Sequence, residues 1–131
     1  EIEQAGKVTN NGIILLNKSQ SVQRQRFTVM HELGHYLLGH VGNDPRFRDS
    51  GRTEEEQEAD RFAVGCLMPA CVLWALHATT AKEIAALCNV SMQAAEIRSR
   101  RMQILLARNK FLTHPLERQV FEQFQQFINN Q

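Results

Sequence analysis

The first sustained apolar run in the chain is GIILLNK, residues 12–18, which predicts a short buried strand. The turn signal TNNG (9–12) leads into it, and KVT just before that turn offers a hairpin partner. Past residue 18 the apolar spacing becomes helical. Ser19 or Ser21 can cap a helix running to about Leu38, with Gly39 as its stop. Residues 42–53, GNDPRFRDSGRT, read as a loop. From about Thr53 to Leu67 a second helix places Ala59, Phe62, Ala63, Cys66 and Leu67 on one apolar face, and Pro69 ends it. Helices at about 71–77, 80–87 and 91–109 follow, and Pro115 opens a last one, LERQVFEQFQQFINN. The fold class this implies is α+β: a small sheet or hairpin, then a mostly helical core.

Composition narrows the class without naming a function. A length of 131 residues suits one domain, expected as 1–131. Within it, 12–69 carries the sheet edge and two helices, 71–109 a helical subdomain, and 115–131 an amphipathic C-terminal helix. A hydrophobic fraction of 43% supports a packed interior. A net charge of +1 gives no bulk electrostatic case for nucleic acid or membrane binding. The longest apolar runs, IILL and CVLWAL, are far too short for a membrane span. No secretory signal pattern opens the chain, and Glu1 in place of methionine is expected of an excised or processed piece. Cys66, Cys71 and Cys88 form no close pair, which favours a reducing, cytoplasmic setting and thiols used as small core residues.

The candidate chemistry lies in VMHELGHYLLGH, residues 29–40, which holds three of the five histidines. With Leu33 as origin and about 100° per residue, Val29, Met30, Leu33, Tyr36 and Leu37 fall within about 60° and form the expected core face. His31 and His35 fall at about 160° and 200°, side by side, with Glu32 on their flank at about 260°. Imidazoles four residues apart on a helix are close enough to grip one ion, with the carboxylate beside them. That is the arrangement of a zinc hydrolase, and zinc needs a third protein ligand and an open position.

His40 follows Gly39 and is off the register that a third histidine of the metzincin kind requires, which excludes that option. The second helix offers TEEEQEADRF. Extending its apolar face backwards brings Glu55 and Glu56 toward the interior, whereas Glu54 and Glu58 read as solvated. Asp60, four residues after Glu56, can take the free ring N–H of His31 or His35, as carboxylates do around zinc-bound histidines. Glu56 is therefore the favoured ligand, Glu55 the runner-up, and Asp60 the carboxylate behind a metal-bound histidine.

RFTVMHELGHYLLGH, followed by EQEADRFAVGCLMP, resembles the ImmA/IrrE family of zinc metallopeptidases, which are similar to small gluzincins. Glu56, Ala59, Asp60, Phe62, Ala63, Leu67, Met68 and Pro69 carry the more specific part of the likeness. Cys66 departs from it where leucine is common. The likeness spans about 12–108 and leaves out the Phe-rich tail. It implies a minimal gluzincin-like core, a zinc-dependent endopeptidase, and a helix-turn-helix transcriptional repressor as protein substrate. Glu32 would then be the general acid/base. Tyr36, His77 and His114 are candidates for stabilising the oxyanion, each with a structural role favoured.

AKEIAALCNVSMQAAEIRSRRMQILLAR (81–108) has the look of a helix-turn-helix, with Lys82, Arg98, Arg100, Arg101 and Arg108 against Glu83 and Glu96. A packing element is favoured over a DNA reader, so direct nucleic-acid binding is not expected. Leu116, Val120, Phe124, Phe127 and Ile128 form a helical stripe that suits core packing or, as the sharper alternative, self-association. Two functions compete with the peptidase: a metal-bearing regulator that binds a repressor without cutting it, and a DNA-binding module.

Overall fold

A computed structural model describes residues 5–40 and 54–131, and these fall into two compact units, Glu1–Leu67 and Met68–Gln131. The fold is α+β. In the first unit β1 (Gly6–Val8) and β2 (Ile14–Leu16) pair antiparallel, with Gly6 opposite Leu16 and Val8 opposite Ile14. Gly12 takes the turn's positive φ of 84°, and Thr9 closes the turn twice: its backbone N–H donates to Ile13 O at 2.9 Å, and its hydroxyl oxygen accepts from the Ile13 N–H at 3.0 Å. The hairpin is shorter than expected, and its second strand is not buried throughout. Ile13 and Leu15 are exposed while Ile14 and Leu16 are half-buried, because a two-stranded sheet packed on one helix covers one face of each strand.

Ser21 is the residue that caps α1 (Val22–Leu37), accepting from the Arg24 N–H at 3.1 Å. α1 packs on the hairpin and, more extensively, on α2 (Glu54–Leu67). Two glycines permit the close approaches. A Cβ on Gly6 would lie 2.7 Å from both the Leu15 carbonyl oxygen and Thr28 Cγ2. One on Gly34 would lie 3.0–3.2 Å from Phe62, which stands over that position.

The orientation of α1 differs from the face its leucines suggest. Thr28, Gly34 and His35 are its buried residues, whereas Tyr36 and Leu37 are 40% and 60% exposed. Apolar periodicity assumes that the polar side of a helix meets water. Here that side meets α2, whose carboxylates satisfy the imidazoles and whose small buried residues, Ala59 and Ala63, allow a tight fit.

In the second unit the expected helices form α3 (Ala70–Ala75), α4 (Ala81–Cys88) and α5 (Met92–Arg108). Thr80 and Glu83 make a reciprocal capping box on α4, Asn89 ends that helix in the left-handed region, and Ser91 caps α5. Leu73, Ile84, Ala95 and Met102 are fully buried. The half-buried Arg98 guanidinium donates twice to the Met68 carbonyl, at 2.8 and 3.0 Å. The last predicted helix is two, α6 (Pro115–Gln123) and α7 (Gln125–Asn129), broken at Phe124. Trp74 stacks on Phe111 with ring centres 5.0 Å apart and lies against Phe121. Cys71 is buried and Cys88 half-buried, but Cys66 is exposed rather than a core residue.

Gly6→Ala is expected to destabilise the protein by about 1–3 kcal/mol, because the obstructing atoms include backbone and cannot swing away. Gly65→Ala meets nothing within 4 Å and should stabilise α2 by up to about 1 kcal/mol through helix propensity. Denaturant unfolding of the two variants measures both.

Candidate metal centre

α1 and α2 build the site between them. His31 and His35, one helical turn apart, bring their Nε2 atoms to 3.1 Å, with the rings edge to face. Glu56, from the first turn of α2, reaches across with both carboxylate oxygens. Its Oε1 lies 3.2 Å from His31 Nε2 and its Oε2 lies 3.0 Å from His35 Nε2. Four residues on, Asp60 accepts from His31 Nδ1 at 2.7 Å. The Glu32 carboxylate stands 4.0 Å from His31 Nε2 and is 12% exposed, so it borders the cluster without closing on it. Among the described residues, His31, Glu32 and His35 each offer a donor atom within 4.8 Å of the others.

The backs of the two imidazoles are held differently. His31 has Asp60, while His35, 1% exposed, has its Nδ1 2.9 Å from the Nδ1 of His40. His40 is also buried, and its Nε2 lies 2.9 Å from Glu58 Oε1. Neither contact is visible in the sequence patterns. Glu58 reads there as solvated, and although its side chain is 39% exposed its carboxylate accepts a hydrogen bond from His40 Nε2. The available signal was Gly39: a glycine that stops a helix folds the next residue back over the last turn.

The sequence candidates outside this cluster have other surroundings. Tyr36 covers the hairpin turn, so that a Cβ on Gly12 would lie 3.4–3.5 Å from its Cζ and hydroxyl. His114 caps α6 by accepting from the Leu116 N–H at 3.1 Å. His77 is exposed, with a positive φ of 57°.

Carboxylates dominate the electrostatics. Burial, the largest single influence on His31, disfavours its charged form, but the Asp60 hydrogen bond and the charges of Asp60, Glu56 and Glu32 outweigh it and raise the pKa above 6.5. The same field favours any cation. A divalent ion fits the donor set: two nitrogens and a carboxylate converge at 3.0–3.2 Å, near the roughly 3.3 Å separation between ligands on a tetrahedron with bonds of about 2.0 Å. With Nδ1 engaged on both rings, Nε2 is the nitrogen each can offer.

The family described as IrrE N-terminal-like domain, Peptidase_M78, matches the chain over residues 3–100. No curated protein and no solved structure matches it.

In the metal-free protein, Asp60→Asn should lower the His31 pKa, because it removes a charge and a charge-assisted hydrogen bond while burial persists. An NMR titration of the histidine ring protons reads the shift. An unchanged or higher pKa would contradict the Asp60–His31 pairing.

Proposed function

The chain belongs to the IrrE N-terminal-like domain family of peptidases, and from that premise we propose that it is a zinc-dependent endopeptidase whose ion is held by His31, His35 and Glu56. The observation that carries this reading is the Glu56 carboxylate, which spans the two Nε2 atoms at 3.0 and 3.2 Å. When bound, zinc supplies a Lewis acid that acidifies water and polarises the scissile carbonyl.

The chain's own residues do the rest. Asp60 fixes the tautomer and ring plane of His31. Glu32 sits beside the pair on the same helix, 4.0 Å from His31 Nε2 where Glu56 is at 3.2 Å, and can take a proton from the attacking water and deliver it to the departing amine. A helix-turn-helix transcriptional repressor is the proposed substrate, on the family resemblance, with an anti-repressor role in the cytoplasm. No helix among the described residues is long and apolar enough to cross a membrane.

A non-cleaving, metal-bearing regulator would use the same two histidines and Glu56. Glu32 favours cleavage over that alternative, because a half-buried carboxylate 4.0 Å from His31 Nε2 is what proton transfer needs.

Two expected outcomes test the assignment. Zinc titration should give one ion per chain, lost in His35→Ala and damaged far more by Glu56→Ala than by Glu55→Ala. Absence of stoichiometric zinc after reconstitution would end the metal reading. With a cognate repressor as substrate, Glu32→Gln should keep zinc and fold while turnover falls by about 10²–10⁴-fold. Wild-type cleavage by that variant would remove Glu32 from the mechanism.

A further inference from the structure

α1 ends in a Schellman motif whose two closing residues belong to the site. Gly39 takes φ +80°, its N–H donates to Tyr36 O at 3.3 Å, and the His40 N–H donates to His35 O at 2.8 Å. In such a motif the residue after the glycine ordinarily rests on the residue five before it through an apolar contact. Here that contact is between two imidazoles, His35 and His40, with Nδ1 to Nδ1 at 2.9 Å. The same fold-back that closes the helix therefore sets a hydrogen bond on a candidate ligand.

Two facing ring nitrogens can bond only if one carries hydrogen and the other a lone pair, so the tautomers of His35 and His40 are coupled. Glu58 decides between the two choices. Its carboxylate, 2.9 Å from His40 Nε2, accepts and cannot donate, so Nε2 of His40 carries the hydrogen. In neutral His40 this leaves Nδ1 as an acceptor. His35 must then donate from Nδ1, and its Nε2 lone pair faces His31 and Glu56.

We propose that His40 and Glu58 are positioning residues that lock His35 in the tautomer a metal ion requires, a relay of one imidazole and one carboxylate built on the helix terminus. This rests on the metal-centre reading given above. It makes His35 the counterpart of His31, which reaches its carboxylate, Asp60, directly. His40 at the α1 terminus and Glu58 on α2 thus act on His35 without binding the ion themselves.

Zinc affinity, measured by competition with a chromophoric chelator, distinguishes this role from ring packing. His40→Phe keeps the ring's bulk and removes the acceptor, and should lose about 10–100-fold in affinity. His40→Asn loses bulk but presents an amide oxygen near the position of Nδ1, and should retain most of the affinity. A packing role would reverse that order. Glu58→Ala should weaken binding and Glu58→Gln, whose amide oxygen still accepts, should restore it. The Glu58 pair keeps the test available if a His40 variant does not fold, since Glu58 is 39% exposed at its side chain. In zinc-loaded wild type, nitrogen-15 NMR should find the hydrogen on Nδ1 of His35 and on Nε2 of His40. His40→Phe binding zinc as tightly as wild type, or the opposite tautomers, would overturn the relay alone. Failure of wild type to take up zinc would overturn the metal centre, and the relay with it.

Discussion

Glu56 can set its two oxygens 3.0 and 3.2 Å from the imidazoles of α1 only if α2 approaches closely, and that approach rests on Gly34 against Phe62. Gly34 lies between the two histidines in sequence and directly before His35. Any side chain there would meet Phe62 within 3.0–3.2 Å and push the helices apart. On α2 the fully buried positions are small as well, Ala59 and Ala63. Small residues at a helix interface let backbones draw together, and a short side chain such as Asp60 can then span the gap to His31 at 2.7 Å. Packing and chemistry share one contact.

That contact also gathers carboxylates that would repel one another if nothing positive lay among them. Glu32, Glu56 and Asp60 all act on His31, and their combined effect overcomes the burial that would keep it neutral. An imidazolium and a divalent cation answer the same field, so a metal ion bound here would compete with the proton for the nitrogens of this site. The arrangement is costly as a purely structural feature, because a partly buried charge cluster stabilises a fold less than apolar packing of the same volume. Its presence at the tightest helix contact of the unit is explained by a use for the charge.

Local signals made most elements legible. Ser21, Thr80 and Ser91 cap the helices they precede, and Asn89 and Asn109 end theirs in the left-handed region, all within a few residues of chain. The helical phase that singled out Glu56 and Asp60 is equally local, and both residues face the histidines of α1. The facing of α1 was not legible, because it depends on α2 as a partner for polar groups. Tyr36 and Leu37 consequently point away from where their hydrophobicity suggests. The break at Phe124 has no glycine or proline to announce it: the Phe124 N–H is shared between the Val120 and Phe121 carbonyls at 3.2 Å, and such sharing carries no sequence mark. His40 and Glu58 escaped for a third reason, since their pairing joins a helix end to a separate helix eighteen residues on.

The two histidines also differ in what their surroundings can afford electrically. His31 is 16% exposed and sits directly on Asp60, a carboxylate 28% exposed. His35 is 1% exposed, and a carboxylate placed behind it at Nδ1, where His40 is only 5% exposed, would have to shed nearly all its hydration. It would also join three acidic neighbours already crowding the same few ångströms. An imidazole solves both difficulties, because His40 accepts a hydrogen bond while neutral and hands the demand for a charged acceptor outward. Glu58 meets that demand where its side chain is 39% exposed and water still screens it. The interposed ring thus gives a buried nitrogen a carboxylate's directing influence without a buried carboxylate, and the helix terminus supplies the geometry at no further cost in structure.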